Sequence, residues 1–426
     1  MRVSAISWTR YRSFKEPQRV AVAPVTLIIG RNGSGKSVIS RLPVLLASGV
    51  HIDAIDPLDL SAGGVIHAAT YQDLVHSRSR FPFSLGAEVS DGTDCFEFET
   101  SLRYVTELRS LAVESFWLSR RGVRLLHIEL TDEAQLTSPH PHYSVSHEGE
   151  PIAADVSFSG LLPNERGFDG VLREILSKAL AAIRRALPPP SYLGPFRVEA
   201  SRFSRSPGQR VRELGPRGER AIELLAEDQI RFGGDLVRGV SEWFSNALNQ
   251  GISVDVLDDR SRLLVADHRS MTDVSLADTG AGFSQVLPVV VQHYAFRKQR
   301  LPASTLIVEQ PELHLHPGAH GAVMDLALQT VGEMPPGSKP NCIFETHSEQ
   351  IIMRLRRRIA EGFDPADVAL WSLNHRESDE VDAIEDPLRV IKFDPNGDPD
   401  AWPMGVFEEA LDDLTALRRA AREREQ

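Results

Sequence analysis

The sequence predicts a mixed α/β fold, and three kinds of segment predict it. The continuous apolar runs Val25-Thr26-Leu27-Ile28-Ile29, Thr305-Leu306-Ile307-Val308 and Cys342-Ile343-Phe344 read as short strands buried on both faces, as in a parallel sheet covered by helices. Apolar residues recur at helical spacing over 171–187, 221–248 and 283–296, which supplies the covering layers. Between 81 and 130, alternating and aromatic-rich pieces separated by turns such as Asp91-Gly92 predict an additional antiparallel sheet.

Taken in order, residues 1–30 read as short strands. The last of these, after Pro24, runs straight into a glycine loop. Pro43 falls two turns into the helix expected next and predicts an interruption there. The polar stretch 137–151 reads as an exposed loop. The helix over 171–187 ends at Pro188-Pro189-Pro190, which no helix continues through. Between Arg197 and Arg220, seven arginines interleaved with Ser, Pro and Gly read as a loop. Residues 252–276 suggest two further strands, and the helix over 283–296 opens at a glycine-rich turn. There is no internal repeat and no sustained heptad, so long coiled-coil arms are not expected. The resulting division is an N-terminal lobe at 1–136, an inserted, largely helical region at 137–250, a C-terminal lobe at 251–375 and a small tail domain at 376–426.

Composition narrows the function classes. A chain of 426 residues, 42% hydrophobic and 25% charged, fits two to three folded units. Its 47 basic and 59 acidic residues leave a net charge of −12, which excludes DNA binding over the whole surface and confines any polyanion site to a local patch. Cys95 and Cys342 are too few for a disulfide framework or a four-thiolate zinc site and read as unreactive buried thiols. The N-terminus carries no apolar secretory core, and no stretch reaches the roughly 18 apolar residues of a spanning helix, so a cytoplasmic protein without membrane contact is expected.

The motif with the most specific chemistry is Gly30-Arg31-Asn32-Gly33-Ser34-Gly35-Lys36-Ser37, a full G-x-x-x-x-G-K-[ST] match placed directly after a buried strand. Glycines let backbone N–H groups turn inward around phosphate oxygens, and the following helix offers its positive end. Lys36 then neutralises the β/γ-phosphates and Ser37 is suited to bind Mg²⁺. A metal bound there needs an acidic residue at the end of a neighbouring strand, and Glu309 supplies it. Glu309 leads into Gln310-Pro311-Glu312-Leu313-His314-Leu315-His316-Pro317, and Phe344-Glu345-Thr346-His347-Ser348 places a histidine just past another apolar strand. Upstream, Asp278-Thr279-Gly280-Ala281-Gly282-Phe283-Ser284-Gln285 opens a helix with small residues, which suits a second phosphate-contacting helix N-terminus.

This order of motifs resembles the ABC-type ATPases, more closely the RecF, SMC and OLD-like group than the transporters. The resemblance implies a P-loop ATPase head that binds ATP and Mg²⁺ and dimerises around them. It assigns Gly280, Gly282 and Ser284 to a contact with the nucleotide of a partner subunit and His347 to the γ-phosphate. It also places Gln72, in Tyr71-Gln72-Asp73-Leu74, as a candidate metal contact. The tail, with Phe393-Asp394-Pro395-Asn396-Gly397, Trp402-Pro403 and Val406-Phe407-Glu408-Glu409-Ala410, is similar to a C-terminal domain of unknown function on stand-alone bacterial members of the group. The role implied is an ATP-dependent switch in DNA maintenance or anti-phage defence, working with a separately encoded effector.

Gln310 departs from the family pattern, which has a glutamate there to polarise the attacking water; an amide orients water but accepts no proton. Slow hydrolysis follows, with Glu312 either supplying the missing carboxylate or serving a structural role. A noncatalytic ATP-sensing scaffold and a transporter nucleotide-binding subunit are the alternative readings. The 79 residues after His347 show no two-metal nuclease motif. His314, His316 and His320 lack the spacing of a zinc site. The arginine loop at 202–220 is a solvated loop paired with Glu199, Glu213 and Glu219, a nucleic-acid contact or a contact with a protein partner.

Overall fold

The computed structural model describes residues 1–54, 56–267, 272–335, 337–373 and 388–401. The first strand, β1 (Arg2–Thr9), pairs antiparallel with β2 (Gln18–Ala21), after which β3 (Val25–Gly30) and α1 (Lys36–His51) carry the chain through the glycine loop. The chain then returns to the first sheet as β4 (Phe83–Ser90), β5 (Cys95–Val105), β6 (Ser110–Arg120), β7 (Val123–Leu130), β8 (Tyr143–His147) and β9 (Glu150–Ile152). These form an eight-stranded antiparallel sheet in the order β2-β1-β4-β5-β6-β7-β8-β9. Alternation decides which face is covered: in β5, Phe96, Phe98, Thr100 and Leu102 point inward while Cys95, Glu97 and Glu99 point out.

A two-stranded ladder, β10 (Phe158–Ser159) with β11 (Leu162–Pro163), precedes α2 (Gly170–Ala186). Next come β12 (Ser191–Leu193), β13 (Ser204–Arg205), α3 (Ala221–Arg231) and α4 (Asp235–Leu248). Three strands, β14 (Gly251–Val256), β15 (Arg260–Asp267) and β16 (Thr272–Ser275), form a second antiparallel sheet, with β13 against β15. The C-terminal half adds α5 (Ala281–Arg297), β17 (Thr305–Glu309), α6 (Pro317–Gly332), β18 (Asn341–Glu345), α7 (Glu349–Ala360), β19 (Val368–Leu373) and β20 (Leu388–Ile391).

The central sheet has the order β12-β17-β18-β3-β19-β20, parallel except for β20. Its strands are buried on both faces, which is why they read as uninterrupted apolar runs. Ile28, Ile307 and Ile343 join one core with α1, α2 and the aromatic side chains Trp8, Phe83, Phe98 and Phe116 of the first sheet. The alternate residues Leu27, Leu306, Val308 and Phe344 join a second core with α3 to α7. Among the described residues, no helix is long and apolar enough to cross a membrane.

Three expectations are corrected. Residues 137–151 are not all loop: β8 and β9 continue the antiparallel sheet past 136, joined by a tight turn in which Glu148 and Gly149 take positive φ. Their alternation is too short to stand out beside the polar His140-Pro141-His142 segment. Pro43 does not interrupt its helix, because α1 runs unbroken with Leu42, Val44, Leu45 and Leu46 buried around it, and tertiary packing outweighs the lost hydrogen bond. The region after 250 holds three strands rather than two. The lobes expected at 1–136 and 251–375 share one sheet, since β3 lies between β18 and β19. Of the tail at 376–426, β20 and the turn at Phe393-Asp394-Pro395-Asn396-Gly397 are seen; Trp402, 406–410 and the rest lie outside the described residues. Trp371 packs into the core and donates its indole N–H to Ala21 O (3.0 Å).

The glycine-loop helix is clamped from the turn between β10 and β11 at Gly160, whose φ is +64° and whose Cα lies so close to α1 that a Cβ would stand 2.0 Å from Gly49 O. Gly160→Ala should therefore destabilise the protein by on the order of 3 kcal/mol in urea unfolding, combining a left-handed backbone with a backbone clash. A loss below about 1 kcal/mol would show that the clamp yields.

Candidate functional site

The glycine loop adopts the conformation its residue types allow. Gly30, Gly33 and Gly35 all have positive φ, and a Cβ on Gly30 would meet Leu373 O at 2.7 Å, so only glycine fits that approach. Lys36 is buried and its Nζ donates to Gly30 O (2.9 Å) and Arg31 O (2.7 Å), which folds the ammonium back over the loop. Burial lowers its pKa and the nearby Glu345 partly restores it. Ser34 Oγ is buried and has no hydrogen-bond partner. The loop borders a cleft of about 940 Å³ whose lining includes Asn32, Gly33, Gly35, Lys36, Ser37, Gln310, Glu345 and His347. The rest of the wall includes Arg12, Ser13, the 66–69 segment and Arg78, the last paired with Asp73 at 2.6 Å. His67 on that wall is kept neutral, its pKa lowered to about 4 by burial.

Two carboxylates end adjacent strands in register, Glu309 on β17 and Glu345 on β18, yet they are held differently. Glu309 is gripped on both oxygens by Arg41, with Arg41 Nε to Oε1 and Nη2 to Oε2 at 2.7 Å each, and it does not line the cleft. Arg41 lies one helical turn beyond Ser37 on α1, so the glycine-loop helix itself supplies the counter-charge. Glu345 accepts from the Ser37 hydroxyl (3.1 Å) and from Ser40 Oγ (3.1 Å), while Ser40 is also 3.0 Å from Glu309. Burial first, and then the neighbouring Glu309, push the Glu345 pKa up to about 7.

Gln310 follows with positive φ (+47°), and its N–H donates to Glu345 O (2.7 Å). Behind this turn lies Arg197, 3% exposed, which donates to Glu309 O at 2.7 Å and, more loosely, to Gln310 O at 3.4 Å. Burial lowers its pKa to about 10. The backbone of Arg197 exchanges two hydrogen bonds with the side-chain amide of Gln285 on α5. Glu312 is not among the described residues that line the cleft; its Oε1 accepts from the His347 backbone N–H (2.8 Å), and its Oε2 is buried without a partner. His347 itself lines the cleft. Its Nε2 is buried without a partner, and burial followed by the Lys36 charge lowers its pKa.

Other expected residues lie apart. Gln72 sits in the short 3₁₀ turn Tyr71–Leu74 and is not among the described residues that line the cleft, although Asp73 is. Gly280, Gly282 and Ser284 open α5 outside the chain's own cleft; a Cβ on Gly282 would meet His314 O at 2.7 Å, and Ser284 Oγ donates to Ala281 O. His316 caps α6 by accepting from Gly318 N–H, and His320 bonds Ser348 Oγ. In the arginine segment Arg202 pairs with Asp278 and Arg220 with Glu223, whereas Arg205, Arg210, Arg212 and Arg217 are exposed. Glu345, Arg41 and Arg197 belong to no motif of their own in the sequence. Glu345 stood in view two residues before His347, but only the register of β17 with β18 shows that it meets Ser37.

No family model and no curated protein matches this chain. Among solved structures it is similar to an Smc head bound to the C-winged helix domain of ScpA, at 12% identity and TM-score 0.49 over 88% of this chain and 95% of that one. It is also similar to a Pyrococcus yayanosii Smc head domain with a coiled coil and joint (10%, TM-score 0.48, 96% and 99%) and to the SMC head domain from Thermotoga maritima (10%, TM-score 0.39, 88% and 96%). Likeness this loose carries no argument about chemistry, which rests on the cleft.

The buried Glu345 carboxyl yields a pH prediction. Below about 4.5 it is protonated folded or unfolded; between about 4.5 and 7 the unfolded chain releases its proton while the folded chain keeps it, so stability falls as pH rises. The deficit is complete above pH 7 and is on the order of 3 kcal/mol. Glu345→Gln, nearly isosteric and uncharged, should recover a large part of it in nucleotide-free thermal unfolding at pH 8 and much less at pH 5. Equal effects at both pH values would contradict the assigned burial of charge.

Proposed function

We propose that this chain binds ATP with Mg²⁺, hydrolyses it slowly, dimerises around the nucleotide and serves as a switch in DNA maintenance or anti-phage defence through a separately encoded effector. The observation that carries this reading is the convergence of Lys36, Ser37, Gln310, Glu345 and His347 on one cleft at the mouth of a glycine loop. The residues fit the group: left-handed glycines, an unpartnered Ser34 hydroxyl and a buried ammonium suit phosphate oxygens, and a hydroxyl beside a carboxylate suits a hard divalent cation. Bound Mg²⁺ would neutralise charge developing on the transferred phosphoryl group. Lys36 would exchange its loop carbonyls for phosphate oxygens, the His347 imidazole would donate to the γ-phosphate, and the Gln310 amide would orient the attacking water. Glu312 positions His347 by holding its backbone N–H.

Because Gln310 cannot take a proton and Glu312, held at one oxygen by the His347 backbone, does not line the cleft, the arrangement supports slow turnover, and it also favours the second reading, a sensor that works by binding alone. Gly280, Gly282 and Ser284, presented away from the chain's own cleft, are suited to a partner copy's nucleotide. The exposed Arg205, Arg210, Arg212 and Arg217 are the candidate nucleic-acid contact.

Lys36→Ala removes the ammonium from the loop, and calorimetry should show ATP affinity reduced by at least 100-fold, roughly the worth of one buried charge-assisted contact. Unchanged affinity would refute nucleotide binding at this loop. Ser284→Arg places a long cation where a partner's nucleotide would dock. Light scattering should then show a monomer at ATP concentrations that dimerise the wild type, with ATP binding to the monomer retained; an ATP-dependent dimer of the variant would remove α5 from the interface.

A further inference from the structure

We infer that Glu345, rather than Glu309, is the carboxylate that meets the divalent cation of a bound nucleotide. This deepens the proposed ATP-binding role and rests on it. Both residues stand at the ends of adjacent parallel strands, so position along the chain does not distinguish them. Their partners do. Both Glu309 oxygens are committed to the Arg41 guanidinium in a two-pronged ion pair, one of them also accepts from Ser40, and the side chain is 2% exposed and lies outside the cleft. Freeing it for a cation would break a largely buried ion pair and strand the Arg41 guanidinium. Glu345 lines the cleft, forms no ion pair among the described residues, and accepts from Ser37 Oγ, the hydroxyl the glycine loop directs at a metal.

A carboxylate and a hydroxyl 3.1 Å apart form a pair of hard oxygen donors, and a cation seated between them would take the carboxylate as a charged ligand and a lone pair of the hydroxyl, which keeps its proton and turns it aside. Without that cation, the same negative charge stands beside the β- and γ-phosphates and opposes them. The division of labour is therefore specific: Arg41 and Glu309 brace α1 against β17, and Glu345 makes nucleotide affinity depend on the divalent cation.

The test is ATP affinity of the full chain, by calorimetry, in Mg²⁺ and in EDTA, with Mn²⁺ binding followed by electron paramagnetic resonance in the presence of ATP. Glu345→Gln should reduce the enhancement of ATP affinity by Mg²⁺ at least tenfold and weaken the bound Mn²⁺ signal. Its affinity in EDTA should equal or exceed that of the wild type, which also shows that the cleft is folded. Glu345→Asp, which keeps the charge, should restore part of the enhancement. Full Mg²⁺ enhancement in Glu345→Gln would overturn the assignment while leaving ATP binding intact. Absence of ATP binding by the wild type in either buffer would overturn the nucleotide reading, and this inference with it.

Discussion

The site depends on one packing constraint: a parallel sheet that brings two carboxylates into register at the end of a glycine loop. Glu309 and Glu345 are forced side by side by the pairing of β17 with β18, where burial would make two ionised groups repel strongly. The fold resolves this asymmetrically. Arg41 neutralises Glu309 in a bidentate pair, Ser40 bridges the two acids, and Glu345 is left with hydroxyl partners and a raised pKa. Since Lys36, Ser37, Ser40 and Arg41 all lie on the first two turns of α1, the helix that would cradle phosphate also sets the electrostatics of the strand ends.

That helix must be held firmly for the arrangement to persist, and it is held from both sides. Its apolar face shares a core with the antiparallel sheet and α2, which explains how it tolerates Pro43. At its C-terminal end Leu161 N–H donates to Gly49 O at 2.8 Å, tying α1 to the segment after β9. The antiparallel lobe thus fixes the orientation of the helix whose side chains reach the strand ends.

Much of the fold was legible because burial on both faces leaves an unmistakable mark. The strands β3, β17 and β18 are uninterrupted apolar runs, and the glycine loop followed one of them at the expected spacing. Elements with weaker periodicity were lost: β8 and β9 are short strands at one end of the sheet whose polar outward residues resemble loop, and β16 has four residues. In the site, Lys36, Ser37, Gln310 and His347, singled out by type and motif, meet at one cleft, whereas residues placed by pairing across the fold carry no such mark. Arg41 lies 268 positions from Glu309 and Arg197 lies 112 positions from it, distances over which a motif carries no information. Glu312 shows the converse case, because its type suggested a base while the turn through Pro311 directs it at a backbone N–H.

Arg197 shows how far the site extends beyond its cleft. A guanidinium buried this completely, with its pKa depressed, is retained only where several acceptors compensate it, and here they are the carbonyls of Glu309 and Gln310. The same residue's backbone is locked to Gln285, one helical turn from Gly282 and adjacent to Ser284 on α5. The turn that presents Gln310 and the helix that presents the small residues are thus joined through a single arginine, and the carboxylate of Glu312 joins that turn in its other direction to His347. A displacement of α5 would have to break or carry these bonds. The constraint that sets the strand ends is therefore continuous with the small residues that open α5.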